Sequence, residues 1–276
     1  MNKTQLVVIA GALILVVLLY IAPRTSSEEQ KIVVEAKTAG HSFEAHIEDA
    51  KKGIDSAGLV YYGELEAKLK KASDVQKIVL LDSLVNLWNG YKIHLVAAYY
   101  SQQSAVLKQT AASWKDAAER YFFASRFADE YNKVHIFENA IQCYNKLLAL
   151  DPSDMDAKIN LGVCYVESSL EPMKGIALLR EVLETDSNNI KAHLNLGYFS
   201  VKSGQYDKAI QRFEKVLKLD PSYIDAYLYL GDVYESKGNK EKAIESYEKY
   251  KAAVNDPGMI SEIDKYIDKL KNNNNT

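Results

Sequence analysis

An all-α fold of stacked helix pairs is what this sequence predicts, and three recurrences predict it. Small residues return at Ala140, Gly175, Ala209 and Ala243, separated by 35, 34 and 34 positions. Leu-Gly pairs keep step with them at Leu161-Gly162, Leu196-Gly197 and Leu230-Gly231. Four residues after each small position stands a large apolar or aromatic side chain: Tyr144, Leu179, Phe213 and Tyr247. A period of about 34 residues marks helix pairs stacked in a row, where one unit cannot bury its own apolar face.

Each recurring residue has a mechanical role. The small residue early in the second helix of a pair lets the first helix approach. The glycine after leucine does the same from the other side, although it costs about 1 kcal/mol of helix propensity relative to alanine. Helix-stopping dipeptides close the units at Asp151-Pro152, Asp186-Ser187 and Asp220-Pro221. A residue before proline is pushed out of the helical region, and proline can open the next segment. Between paired helices, Ser203-Gly204-Gln205 and Lys237-Gly238-Asn239 supply the turn of a helical hairpin.

The runs Leu196-Gly197, Ala209-Ile210, Phe213, Leu219-Asp220-Pro221 and Leu230-Gly231, Tyr234, Ala243-Ile244, Tyr247 closely resemble the tetratricopeptide repeat. The resemblance covers about half the chain and places four units at 121–154, 155–189, 190–223 and 224–257. The second carries an extra residue near Glu171-Pro172, with Pro172 able to open its second helix. The first is degenerate, with Phe127-Ala128 where Leu-Gly is expected. What the resemblance implies is a right-handed superhelix with a concave groove for peptides or helices.

The amino terminus carries a second signal. No charge occurs from Thr4 to Pro23, and residues 6–22 are almost continuously aliphatic. Twenty such residues (4–23) reach about 30 Å, the hydrocarbon thickness of a bilayer, so a single transmembrane anchor is expected. A cleaved signal peptide is the rival reading, but Tyr20 occupies a position that wants a small residue, and Pro23 would follow the cut. Lys3 before the span and Arg24 after it leave orientation weakly specified. The expected arrangement is a short tail inside and the body on the extracytoplasmic side, periplasmic in a bacterial-type envelope.

After the anchor, residues 24–41 read as a polar stalk, and 42–120 as a helical region. Apolar spacing there is helical through Phe43, Ile47, Ile54, Val60, Leu65 and Leu69. Ser73-Asp74 offer a cap before Val79, Leu80, Leu84, Leu87 and Trp88, and Asn89-Gly90 end that helix. Ile93, Val96, Tyr99, Tyr100 and Val106 mark the next. Residues 74–110 are either a diverged repeat or a helix pair outside the repeat, since the Leu-Gly and Ala registers are missing. Ser113 is expected to cap a helix through Trp114, Ala117, Tyr121 and Phe122 into the first unit. At the other end, Asp256-Pro257-Gly258 break the chain before a capping helix (258–271). Its apolar face, Ile260, Ile263, Ile267 and Leu270, is expected to cover the end of the stack, with 272–276 a disordered tail.

Composition excludes several function classes. A net charge of −3 and a pI near 6.0 provide no basic footprint for nucleic acid. Two cysteines are too few for a disulfide framework; Cys143 and Cys164 are either neighbouring partners or two buried thiols. No phosphate-cradling glycine loop, metal-binding His-Glu-x-x-His helix or nucleophile elbow occurs. His41, His46, His94, His135 and His193 are scattered, and acidic residues alternate with lysine as on a solvated helix surface. The expectation is a protein without catalytic residues, metal or cofactor.

The resemblance also assigns a concave face to five positions of each first helix. These are Asp156, Ile159, Val163, Val166 and Glu167 in the second unit, and Lys191, Leu194, Tyr198, Val201 and Lys202 in the third. The fourth contributes Asp225, Leu228, Asp232, Glu235 and Ser236. Chaperone-binding relatives clamp a terminal carboxylate with Lys, Asn and Arg at the fifth and ninth positions. Here Ser125, Ile159, Leu194 and Leu228, then Asp129, Val163, Tyr198 and Asp232, stand there, so that clamp is absent. In its place runs an apolar stripe: Ile159, Val163, Val166, Leu194, Tyr198, Val201 and Leu228. Two uses of it stand open: an amphipathic helix or peptide of a partner protein, or filling by the chain's own helices or a second copy's. The first makes the chain a membrane-anchored interaction scaffold, the second a structural, self-associating subunit.

Overall fold

The structure, a computed structural model, describes residues 43–272, apart from the side chains of Glu130 and Tyr131. The expected anchor at 4–23, the stalk at 24–41 and residues 273–276 lie outside the described residues. Thirteen α-helices and no strand occur among the described residues. In chain order they are α1 (Phe43–Ala50), α2 (Ser56–Leu69), α3 (Asp74–Gly90), α4 (His94–Lys108), α5 (Ala111–Ala124), α6 (Glu130–Leu150), α7 (Met155–Glu167), α8 (Pro172–Thr185), α9 (Ile190–Lys202), α10 (Tyr206–Leu219), α11 (Asp225–Ser236), α12 (Lys240–Ala253) and α13 (Pro257–Asn272). The chain divides into two units within α2, one ending at Leu59 and one beginning at Val60. In the smaller, α1 is followed by a 3-10 turn at Lys51–Gly53, which interrupts the helical spacing read through Ile54.

In the larger unit every helix from α3 to α13 packs against the next, and first helices of successive pairs also touch, α5 to α7 and α7 to α9. Caps set the boundaries. Asp154, Asn189 and Asn239 accept hydrogen bonds from the backbone of Ala157, Ala192 and Lys242, satisfying donors that a helix start leaves orphaned. Pro172 is the first residue of α8, where its missing N–H costs nothing.

What ends the second helices is aspartate more than proline. The Oδ1 atoms of Asp151, Asp186 and Asp220 accept from the backbone N–H of Ser153, Asn188 and Ser222 at 3.1, 3.0 and 2.9 Å. Each closes an Asx turn two residues on, which is why Asp186-Ser187 works without a proline. Gly204 and Gly238 take the left-handed turn with φ of 70° and 77°. Ser169 holds the same place in the second unit at φ 57°.

Glycines at the helix crossings are required sterically. A Cβ on Gly197 would meet Phe213 Cε1 at 2.6 Å, and one on Gly162 would meet the Gly175 carbonyl oxygen at 2.9 Å. Conversely, a Cβ on Gly175 would be driven into the Gly162 carbonyl oxygen and Val166. In the α7–α8 pair, two backbones therefore face each other, whereas in α9–α10 a backbone faces a ring.

Three sequence expectations need correction. Phe127 lies in a 3-10 turn (Ser125–Phe127) and Ala128 ends it, so they are no counterpart of Leu-Gly; the helix before them is α5, already formed by Ala111. Thr110 caps α5 and Ser113 closes the box from within the first turn. In α3 the buried face is Leu81, Leu84, Val85 and Trp88, while Val79 is exposed. Cys143 and Cys164 are free and lie in one core cluster. Burial pushes the Cys143 thiol up to about 12 and Cys164 higher, so both stay protonated at neutral pH. At the carboxy end, Ile267 is buried, and Ile263 and Leu270 pack with it against Ala243 and Tyr247.

Candidate functional site

The face formed by α7, α9 and α11 holds all seven residues of the predicted stripe. Ile159 is fully buried in a cluster with Leu179, Val182, Ala192, Leu196 and Phe199, and Val163 and Val166 pack against that cluster. Leu194 and Val201 pack on the next cluster, around Phe213 and Leu230, and Leu228 on the one around Tyr247. Only Tyr198 is largely open, at 50% exposure. The stripe is thus divided among three cores, and a single aromatic ring stands out from it.

Tyr198 does not stand alone. Its ring meets Tyr229 edge-on, with centroids 5.6 Å apart, and Tyr229 lies 5.3 Å from Phe213. Burial raises the Tyr229 hydroxyl to about 12, so it is a neutral donor at any physiological pH. An aromatic ladder of this kind offers apolar faces and polar tips together.

Ion pairs frame the ladder. Lys191 Nζ reaches Asp156 Oδ1 at 2.8 Å near the start of α7 and α9, and Lys202 Nζ reaches Glu167 Oε1 at 2.6 Å near their ends. Each joins residues 35 apart, a spacing of opposite charges that was readable in the sequence. Exposed pairs of this type contribute about 0–1 kcal/mol each; here they hold two first helices in register on both sides of Val163 and Tyr198. In the fourth unit the polar positions are engaged by tyrosines of that unit and of α13. Tyr247 Oη donates to Asp232 Oδ1 at 2.7 Å, and Tyr266 Oη of α13 to Glu235 Oε2 at 2.8 Å. Tyr229 and Tyr266 escaped the sequence reading because their partners lie in other units.

No group of three or more His, Cys, Asp or Glu side chains able to hold a metal occurs among the described residues. Nor is any helix there long and apolar enough to cross a membrane.

Family models match three stretches of the chain. One described as TPR repeat covers residues 200–238, and two described as Tetratricopeptide repeat cover 178–211 and 225–253. Tetratricopeptide repeat-containing protein trd-1 of Caenorhabditis elegans is 30% identical over 81 residues, which are 29% of this chain and 10% of that protein. The chain therefore spans about a tenth of that relative's length. Among solved structures, a tetratricopeptide repeat protein from Parabacteroides merdae is similar at TM-score 0.55 and 19% identity, over 83% of this chain and 88% of that one. PilW, a widely conserved type IV pilus biogenesis factor, is similar at TM-score 0.51 and 19% identity, over 80% and 93%. These structural likenesses concern the fold. Residues 178–253 thus match tetratricopeptide repeat models, and the chain has an all-α, tetratricopeptide-like fold of stacked helix pairs.

Proposed function

We propose that this chain is a membrane-anchored interaction scaffold whose α7–α9–α11 face receives a short apolar or amphipathic segment of a partner protein. The observation that carries the reading is Tyr198: a large ring, half exposed, held edge-on to Tyr229 and framed by two ion pairs. Exposed aromatics on a rigid support are the usual anchors of recognition. The uncharged run at 4–23 supports the anchor, and Lys3 before it favours a short tail inside with the body on the extracytoplasmic side.

A second reading, in which the stripe serves the chain's own packing or a second copy, is favoured by the burial of Ile159 and the half-burial of its neighbours. One experiment separates the two. A photo-crosslinking amino acid replaces Tyr198 in the full-length chain, with Leu194→Glu as control. An adduct with a different protein, lost in the control, supports the scaffold reading. An adduct with a second copy, or none at all, replaces it with the structural one. Extraction of membranes with alkaline carbonate tests the anchor, which fails if the chain is released.

A further inference from the structure

We propose that a second surface, the cleft between α8 and α10 behind α9, binds an acidic protein segment. It lies on the far side of α9 from Tyr198, and Val166 of the stripe and Lys202 reach its rim. With about 100° of rotation per residue, His193, Leu196, Phe199 and Ser200 point away from Leu194, Tyr198 and Val201. The cleft has a volume of about 970 Å³. Ile176, Leu196 and Phe199 line its apolar part, and Met173 stands 74% exposed at its edge.

Its charge is one-sided. Arg180, Lys202, Lys208, Arg212 and Lys215 line the cleft, and no aspartate or glutamate does. Lys202 is neutralised by Glu167. The remaining four have no carboxylate within ion-pair distance among the described residues. Lys208 Nζ donates to Gln205 Oε1 at 2.6 Å and Lys215 Nζ to Asn188 Oδ1 at 3.2 Å, both neutral amides. Arg212 Nη1 donates to His193 Nδ1 at 3.1 Å. Burial, with Arg180 nearby, pulls the Arg212 guanidinium below its ordinary value, as expected of like charges held together. Lysines elsewhere on the repeats find carboxylates, such as Lys158 with Glu181 and Lys249 with Glu245.

The repeat supplies its own comparison. One unit on, the places of Met173, Arg180 and Gln211 are taken by Asp207, Glu214 and Glu245. There Asp207 pairs with Lys237 and Glu245 with Lys249, so the same scaffold position is charge-balanced. The stack needs no cationic cleft for its stability.

The chemistry selects the occupant. Guanidinium groups suit carboxylates because a planar fork can donate twice, and the apolar lining accepts an aliphatic side chain between them. Nucleic acid is disfavoured because Phe199 is 6% exposed and cannot stack on a base, and the chain's net charge is −3.

Fluorescence anisotropy of the full-length chain tests this with a labelled peptide of glutamates around a central leucine, at low salt. The acidic peptide should bind saturably and its lysine counterpart should not. Arg180→Glu, which installs the next unit's residue, should weaken binding by roughly tenfold or more, the loss of a charge-assisted contact plus repulsion. Tyr198→Glu should leave it unchanged, so failure of the first-helix reading does not decide this one. If circular dichroism shows Arg180→Glu unfolded, Lys208→Glu/Lys215→Glu carries the same expectation. No saturable binding, equal binding of the lysine peptide, or indifference to both variants would overturn the proposal. So would tighter binding of an oligodeoxynucleotide of equal charge, or self-association abolished by Arg180→Glu in place of peptide capture.

Discussion

Helix pairs before Ala124 and those after Met155 stack alike, but they are joined by different means. In α3–α5 the helices approach along Ala97, Ala98, Ser101, Ser104 and Ala105 of α4, all buried. Hydroxyls and carboxylates then tie neighbours together: Asp82 accepts from Ser104 Oγ at 2.8 Å and Lys108 Nζ at 2.9 Å, and Asp116 from Ser101 Oγ at 2.6 Å and Arg120 Nε at 2.7 Å. In α7–α12 the approach is made by Gly162, Gly175, Gly197, Ala209, Gly231 and Ala243. Small residues are what any close helix crossing requires. They recur at one register only where the same crossing is repeated, and side-chain ties specific to a single pair leave no period behind.

The comparison can be broken first at its tightest point. Gly175→Ala should cost about 3 kcal/mol, because the added methyl meets backbone as well as side chain and cannot be absorbed by a rotamer change. Urea unfolding measures it, and a cost under about 1 kcal/mol would mean that α7 and α8 can separate freely. On the other side of the comparison, Asp82→Ala should cost about 2 kcal/mol by stranding the buried Ser104 hydroxyl. Adding Ser104→Ala to that variant should recover part of the loss, since both partners are then gone.

A smaller effect of opposite sign is expected at Ser169, which sits left-handed where the later units have glycine. Ser169→Gly should stabilise the chain by roughly 0.5–1 kcal/mol, the relieved strain less the entropy of glycine. An unchanged melting temperature would show that the Ser168–Ser169 turn is not strained.

Last comes a pH effect at His193. Its Nε2 faces the Ser187 carbonyl oxygen at 3.0 Å and its Nδ1 faces the Arg212 guanidinium, so Nε2 carries the proton and Nδ1 must keep its lone pair. Burial first, then Arg212 and Lys215, lower its pKa below the ordinary 6.5, although Ser187 and Asp186 oppose them. Between the folded and unfolded values the unfolded chain binds more protons, so stability rises with pH. The contribution is full above about 6.5 and is lost as pH falls toward the folded value. His193→Gln should flatten the change in urea midpoint between pH 8 and pH 5; an equally steep profile would assign it to other groups.

Much of the fold could be read in advance, and particular residues show why. Pro172 opens α8, and Ile263, Ile267 and Leu270 cover the last pair as their spacing indicated. Such features depend on residues close in the chain or on a period, and both are visible in one dimension. Phe127-Ala128 misled because an aromatic-small pair resembles the Leu-Gly register, while the turn there is set by the Asp129 cap, whose carboxylate accepts from Asn132 N. The stripe residues lie on α7, α9 and α11, but how far each is exposed could not be inferred from position.

Period, small residues and caps are consequences of chain-local geometry: the helical turn, the volume at a crossing, the donors left at a helix start. They established the all-α stack from the amino-acid order. How deeply Ile159 sinks while Tyr198 stays open, and which lysines meet a carboxylate, depended on the neighbour that each unit faces. Burial and charge compensation are properties of pairs brought together across about 20–40 positions, and no residue carries them until the units stack.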